Sequence, residues 1–274
     1  MMAGLLHAEW IKLRRLRITW LTPLLPAFLV LVGGIRIVNS LAESNQRYGV
    51  ILDDTILKSF AFPQLMLGGL QFASALGTLL VVIFVTAIVG NEYGFDTWKT
   101  LLTRRDRRGQ FLMVKLSCAL AESTLMLILV PVVFQFTTLI MMRSVLNLTP
   151  PADFTPGQMA SLGITFIVAW VRLAIAATIG LLATVITRSG AGGIALAAPW
   201  LLGDLLINAL SFGGGTWRDL MPYTFNYNLT AFEAYLYGNS GDVSLVHCIA
   251  ILLIYTVGFS LLAVVIFRRR DIAG

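Results

Sequence analysis

The chain is organised around residues 91–115, which read NEYGFDTWKTLLTRRDRRGQFLMVK and lie between two long apolar runs. Six of the twenty Lys and Arg residues of the chain fall in this stretch. A charged side chain at the centre of a bilayer costs about 2.5 to 3.5 kcal/mol, so the stretch cannot lie in hydrocarbon. We expect it to face water or a protein partner.

The composition of the whole chain indicates a membrane protein. Of its 274 residues, 57% are hydrophobic and 12% are charged, whereas soluble domains carry about 25% charged residues. The net charge of +6 comes from residues beside apolar runs, which favours membrane orientation over nucleic-acid binding. Cys118 and Cys248 both fall in apolar runs, so no disulfide framework is expected.

Six runs are long enough to cross a hydrocarbon core of ~30 Å, which needs about 20 helical residues. Lipid offers no partner to an unsatisfied backbone amide, and the runs lack the alternation of a barrel strand, so helices are required. We predict an all-α protein with one transmembrane domain over residues 1–274. Its spans are expected at 18–38, 66–90, 116–142, 160–186, 190–211 and 244–267.

Three further segments are predicted to form helices outside the spans. Residues 3–17 place apolar side chains near one helical face, as in an interfacial amphipathic helix. Residues 39–65 can hold a small external helix. Residues 212–242 are rich in aromatics, and their glycines and Pro222 break any continuous span. We expect short helices there, forming a broken re-entrant segment before the last span.

Lys and Arg residues are distributed unequally between the two sides of these spans. Fourteen fall on the side of the termini and of residues 91–115, and five fall on the opposite side. Because Lys and Arg are enriched in cytoplasmic loops, both termini and residues 91–115 are predicted to be cytoplasmic. The expected location is the cell membrane, either an inner or a plasma membrane.

The chain carries no pattern of a soluble enzyme. It has no Gly-Lys pair, hence no phosphate-binding Walker loop, and neither an HExxH helix nor a GxSxG elbow. His7 and His247 stand alone, whereas a metal site needs several converging ligands. We therefore predict no catalytic residue and no metal site. If ATP is used, another chain must hydrolyse it.

The central stretch contains apolar residues that a basic loop does not explain. Residues 97–103 are predicted to form a short amphipathic helix that presents Trp98, Leu101 and Leu102, and Asn91 and Asp96 can supply N-terminal caps or complement the helix dipole. Such a helix suits docking into a groove of a soluble partner. The alternative is a solvated basic loop that only fixes topology, which would leave the three apolar side chains unburied.

The same stretch resembles the loop of type 2 ABC transporter permeases. The resemblance is carried by Glu92, Thr97, Leu101, Leu102, Arg108 and Lys115. Glu9 and Lys12 resemble part of the amphipathic entry helix of that family. Asp96 replaces the usual Gly, and residues 105–107 stand where Pro-x-Ser is expected. Six spans with both ends inside match the family's architecture over nearly the whole chain.

The resemblance implies the permease subunit of an ATP-driven ABC exporter. Such a subunit pairs with a second permease, identical or related, and with two ATPase subunits, and the dimer would form across spans one and five. In that family the loop forms the coupling helix, which sits in a cleft of the ATPase. ATP and Mg²⁺ would bind to the ATPase, and this chain would hold no cofactor. The coupling residues would be Glu92, Thr97, Trp98, Leu101, Leu102, Arg108 and Lys115.

Three charged residues, Glu122, Arg172 and Asp204, fall inside predicted spans. Such residues usually face the bundle interior or a water-filled cavity. At 1.5 Å per residue, Arg172 lies about 18 Å and Asp204 about 10 Å from the outer ends of their spans. A long arginine could reach the carboxylate, so a structural ion pair is favoured over a substrate contact.

Two other functions stay open at this point. An ion-driven secondary transporter would need convergent intramembrane carboxylates or broken helices at the midplane, and only Glu122 and Asp204 are available. A membrane sensor or scaffold that does not transport could also carry an attached ATPase. ATP-dependent transport in liposomes would separate these functions. The sequence does not predict the substrate.

Overall fold

The computed structural model of the protein describes residues 2–48, 54–94, 108–149, 152, 154–210 and 216–269. Nearly all of these residues are helical, and an isolated bridge joins Phe62 to Ala152. The helices are α1 (Met2–Arg15), α2 (Arg17–Tyr48), α3 (Asp54–Ser59), α4 (Gln64–Gly94), α5 (Arg108–Val145), α6 (Pro156–Thr187), α7 (Gly190–Leu210), α8 (Thr216–Leu220), α9 (Phe225–Leu236), α10 (Leu245–Leu253) and α11 (Phe259–Arg269).

Six helical segments of the described chain are long and apolar enough to cross a membrane. The prediction of an all-α protein with six spans is therefore confirmed. The last segment joins α10 and α11 through a π-helical turn, Ile254–Gly258. Spans one to six are Arg17–Arg47, Gln64–Gly94, Gly109–Val145, Pro156–Thr187, Gly190–Leu210 and Leu245–Arg269.

The first three spans are longer than their apolar runs. Span one continues to Arg47, and span three begins at Gly109 rather than at residue 116. Span two continues to Gly94, so both described ends of the 91–115 stretch are helical. Asn91 lies in the last turn of α4, and its interpretation as an N-terminal cap is wrong. Hydropathy marks the lipid-facing length, whereas a helix continues into water wherever its residues still favour it.

The segment before span one forms a helix, as predicted. Helix α1 ends at Arg15, and Leu16 separates it from α2. Leu13 is buried in the same apolar core as Leu112 of α5, whereas Trp10 is 45% exposed. Leu13 therefore packs α1 against the bundle near the start of span three.

Span four lies at the centre of the bundle. It is the most buried of the six spans, and spans five and six are the least buried. Small residues allow its neighbours to approach closely: a Cβ added to Gly180 would lie 3.4 Å from the Cα of Val82 in span two. Spans five and six therefore flank a core formed mainly by spans two, three and four.

Short helices precede span six, as predicted. Helix α8 leads into a 3-10 turn, Met221–Tyr223, and α9 follows. Helix α9 packs against spans four, five and six. A short helix was also predicted within residues 39–65, and α3 lies there.

Span two crosses the start of span five at a pair of glycines. A Cβ added to Gly90 would lie 2.4 Å from the Cα and 2.5 Å from the nitrogen of Gly190. A Cβ added to Gly190 would lie 3.1 Å from the carbonyl oxygen of Thr86. Because the opposing atoms belong to the backbone, no side-chain rotation relieves the clash. The two helices meet here with backbone against backbone.

Replacing Gly90 by alanine will therefore destabilise the protein. Overpacking of this kind typically costs about 1 to 3 kcal/mol. The measurement is the free energy of unfolding in a titration of detergent-solubilised protein with dodecyl sulfate. Gly68→Ala is the matched control, because Gly68 lies in the same helix with nothing within 4 Å of an added Cβ. Equal effects of the two substitutions would contradict the backbone contact.

Candidate functional site

A buried lysine lies where span two ends and span three begins. The side chain of Lys115 is 1% exposed. Its ammonium donates to Glu92 Oε1 at 2.8 Å, to Glu9 Oε2 at 3.3 Å and to the carbonyl oxygen of Ile88 at 3.2 Å. An ammonium has three protons to donate, and three acceptor groups surround this one. Hydrogen bonds thus compensate a charge that is held out of water.

A second lysine completes the group. Lys12 donates to the same Oε1 of Glu92 at 2.5 Å, and its side chain is 50% exposed. Glu9 and Lys12 are three residues apart on α1, so they lie on the same side of that helix. We call Glu9, Lys12, Glu92 and Lys115 the charge cluster. Acidic and basic groups alternate within it, and its formal charges cancel.

Helical spacing explains how the charge cluster is assembled. Ile88 and Glu92 are four residues apart on α4, so the carbonyl of one and the carboxylate of the other lie along one face. The buried side chain of Lys115 meets both. Helix α1 brings Glu9 and Lys12 across the same point. Three elements distant in sequence therefore converge on one site.

Because the charge cluster is largely buried, it constrains the relative positions of the helices that supply it. Moving a charge out of water costs several kcal/mol, and only close, well-hydrogen-bonded pairing offsets that cost. Removing one partner of a buried pair leaves an uncompensated charge and costs about 3 to 5 kcal/mol. The ends of spans two and three cannot separate without this penalty, because Glu92 and Lys115 pair across them, and Glu9 and Lys12 add two ion pairs that hold α1 to these ends. The charge cluster fixes these three elements to one another.

Five further residues are predicted to couple to an ATPase. Thr97, Trp98, Leu101 and Leu102, and the helix predicted over 97–103, lie outside the described residues. Arg108 is the first residue of α5. Of the predicted coupling residues, the structure brings together Glu92 and Lys115.

Glu122 lies in the interior of the bundle, as expected for an intramembrane charge. It is 5% exposed. Its carboxylate accepts a hydrogen bond from Thr22 Oγ1 of span one at 2.7 Å. The residue therefore faces a neighbouring span, and it links spans one and three.

Asp204 holds the start of α9. It is 4% exposed. Its Oδ1 accepts from the backbone N–H of Phe225 at 2.8 Å, and its Oδ2 accepts from the backbone N–H of Asn226 at 3.3 Å and from Asn226 Nδ2 at 2.5 Å. The first N–H groups of a helix have no intrahelical acceptor and carry partial positive charge. A carboxylate from span five supplies the acceptors here.

The predicted ion pair between Arg172 and Asp204 is wrong. No ion pair within 4 Å joins these two side chains, both of which belong to the described part of the chain. Arg172 lies within the electrostatic influence of Glu233 and, more weakly, of Asp204. Its Nε atom is buried and has no hydrogen-bond partner. A long arginine could bridge the difference in height between the two residues, but backbone N–H groups at the N-terminus of α9 donate to the carboxylate instead.

Glu9 and Lys12 belong to this site, although the sequence pattern did not assign them to it. Both residues were predicted to lie in the entry helix, which is 80 or more positions away from their partners Glu92 and Lys115 in the sequence. The available signal was an acidic and a basic residue on one helical face just before the first span. That pattern predicts a partner for the face but does not identify it.

The family of the chain follows from a comparison with known proteins. Residues 5–203 match the family described as ABC-2 family transporter protein. The chain belongs to this family. The match covers well over half of the 274 residues and includes every member of the charge cluster. A search of curated proteins found no match.

Membership confirms the resemblance to type 2 ABC permeases. As an ABC-2 permease the chain is a multi-pass membrane component of an ABC transporter, and it is not itself catalytic. Permeases of this family work with ABC ATPase subunits. The match ends at residue 203, so Asp204, α8, α9 and span six lie beyond it.

Replacing Lys115 by methionine will destabilise the permease. Methionine retains an apolar stem but removes the ammonium that pairs with the buried Glu92 and the part-buried Glu9. We expect the free energy of unfolding in a dodecyl sulfate titration to fall by about 3 to 5 kcal/mol. The control is Lys58→Met at an exposed position of α3, which should stay within about 0.5 kcal/mol of the unmodified protein. Equally small changes at both positions would exclude a structural role for the charge cluster.

Proposed function

We propose that this ABC-2 permease is the membrane subunit of an ATP-driven exporter. It forms a path across the membrane with a second permease, identical or related, and two ATPase subunits attach to the pair. ATP and Mg²⁺ bind to the ATPase subunits. Both termini and residues 91–115 lie in the cytoplasm, and the protein resides in the cell membrane.

The charge cluster is the observation that carries this proposal. It joins α1, span two and span three immediately beside residues 95–107. A force applied to that stretch by a partner therefore acts on three elements fixed to one another. Rigid-body displacement of packed elements is a common way to transmit a conformational change.

The glycine contact extends this route to span five. Gly90 lies two residues before Glu92, and its backbone touches the backbone of Gly190 at the start of span five. Packed interiors deform little, so a displacement of span two at this point has to move span five as well. Span five is also one of the two spans predicted to form the permease dimer.

Docking is assigned to the apolar residues predicted on the coupling helix. Trp98, Leu101 and Leu102 would fill a cleft of the ATPase, with Thr97 and Arg108 at its edges. A buried aromatic or aliphatic anchor usually dominates the affinity of such an interface. The charge cluster then transmits a displacement of these residues to α1, span two and span three.

The contacts of the intramembrane carboxylates favour this function over an ion-driven transporter. Glu122 accepts from Thr22, whereas Asp204 accepts from Phe225 and Asn226, so the two acids occupy separate environments. Across the described ranges, no group of three or more His, Cys, Asp or Glu side chains is placed to hold a metal ion. Convergent acidic groups of the kind that bind a coupling ion are not found in that part of the chain.

Substituting aspartate for both Leu101 and Leu102 will abolish association with the ATPase. Two buried charges would replace the apolar anchor of the interface. The measurement is the amount of a chain with a Gly-x-x-x-x-Gly-Lys-Ser/Thr loop that copurifies with the tagged permease in mild detergent. We expect a decrease of at least tenfold.

The control for this experiment is Phe154→Asp. It introduces a carboxylate at an apolar residue that is 70% exposed and is predicted to lie on the opposite side of the membrane. The control should retain the ATPase. Undiminished recovery with the double aspartate variant would contradict the assignment of the docking surface.

A further inference from the structure

We propose that a cavity beside Asp204 binds an amphipathic organic cation with a diffuse charge, of the tertiary or quaternary ammonium class. The cavity has a volume of about 300 Å³ and is bounded by span five, the turn before α9, and span six. Trp200, Asp204, Tyr223 and Tyr255 contribute to its lining. Among the described residues, its lining includes no member of the charge cluster and no predicted coupling residue.

The hydrogen bonds of Asp204 indicate an ionised carboxylate. All of its partners, the N–H groups of Phe225 and Asn226 and the Asn226 amide, are donors. A carboxylate offers about four lone-pair positions, and three are used here. The group therefore keeps its negative charge but has little remaining capacity to accept hydrogen bonds. This combination suits a cation that donates few or none.

Aromatic rings provide the second half of the recognition. Trp200, Tyr223 and Tyr255 line the same cavity as the carboxylate. The faces of such rings attract cations, with Trp the strongest, and cages of this kind recognise quaternary ammonium groups. The apolar remainder of the lining, including Ile207 and Leu220, suits the hydrocarbon part of an amphipathic ligand.

Neighbouring contacts hold two of these rings, those of Trp200 and Tyr255, in place. Tyr255 packs on Phe225 and Phe259 with ring centroids 5.6 and 5.1 Å away, and its hydroxyl donates to the carbonyl of Tyr223 at 3.3 Å. Trp200 meets Phe259 edge to face at 5.5 Å. Fixed rings lose little conformational freedom when a ligand binds, which favours affinity. Tyr255 lies in the π turn of span six, a type of distortion that is frequent at functional sites.

The charges around the cavity favour a cation. Asp204 and Glu233 act electrostatically on Arg172, and the formal charges of the three sum to −1. The N-terminus of α9 offsets this by about half a positive charge. Arg218 and Asp219, both exposed on α8, cancel each other. A bound monovalent cation would balance the negative charge that remains.

A role of Asp204 limited to capping α9 is the simpler alternative. Capping uses both oxygens of Asp204 and so accounts for its carboxylate, but it does not require a bound ligand. It also requires neither an adjacent cavity nor the three rings. Binding measurements separate the two roles.

The test uses the full-length permease in lipid nanodiscs, without any ATPase. The probe is benzyltrimethylammonium, and the competitor is neopentylbenzene, which has the same shape with carbon in place of the charged nitrogen. Equilibrium dialysis against empty nanodiscs measures the dissociation constant. We expect saturable binding of the cation and no displacement by an equal concentration of the neutral compound. Equal binding of the two compounds would overturn the proposal.

Three substitutions identify the site. Asp204→Asn should weaken binding at least tenfold, and Trp200→Leu and Tyr223→Leu should each weaken it about threefold to tenfold. Asp219→Asn removes an exposed acid close to the cavity and should change affinity by less than twofold. If Asp204→Asn fails to fold, the two ring substitutions decide, since these side chains are 45% and 62% exposed and tolerate change. Unchanged binding in the folded variants would contradict the proposal.

This result does not depend on the exporter function. Binding is measured on the permease alone, so a failure of ATPase association leaves it unaffected. If the cation is also carried across the membrane, that step rests on the proposed function.

Discussion

Lys115 keeps its ammonium out of water among Glu9, Glu92 and the carbonyl of Ile88, and one end of the bundle depends on these contacts. Helix α1, span two and span three each supply part of the arrangement. If spans two and three moved apart here, the buried Glu92 and Lys115 would lose their mutual ion pair, which costs far more than a single surface ion pair contributes. The stretch predicted to meet the ATPase, residues 91–115, therefore begins in span two and ends in span three, and the charge cluster holds these two ends together. We call these two ends and α1 the rigid base.

Span five connects this base to the opposite part of the molecule. It begins at Gly190, in backbone contact with Gly90, and carries Asp204 two-thirds of the way along its length. Asp204 in turn holds α9, which packs against spans four and six. Pro199 lies between these two points, where a missing backbone donor permits a bend. A movement that starts at the charge cluster thus has a continuous packed route to the cavity beside Asp204.

The spans could be predicted because length and hydropathy directly reflect the thickness of the bilayer. The ends of the helices could not be predicted in the same way, because a helix can continue beyond its apolar run. Span two does so through Asn91. The family resemblance singled out Glu92 and Lys115, and the structure places their side chains in contact. The resemblance did not identify their partners on α1, because a contact across 80 or more residues leaves no local pattern.

The pairing predicted for Arg172 and Asp204 failed for a related reason. Rise per residue gives the height of a side chain along a span but not the direction in which it points or what lies beside it. The N-terminus of α9 reaches the carboxylate of Asp204, and no pattern in span five foretold this. A charged residue inside a span predicted that Asp204 is buried, but its hydrogen-bond partners depend on the tertiary structure.

The most direct measurement of the central claim is a pair of spin-label distances in the complex with its ATPase. Labels at His7 and Asn91 report on α1 against span two, and labels at His7 and Val246 report on α1 against span six; all three positions are exposed. The buried Cys118 and Cys248 are replaced beforehand. When ATP is trapped in the partner, we predict an unchanged first distance and a shifted second one. A first distance that shifts as much as the second would show that the charge cluster does not move as one unit.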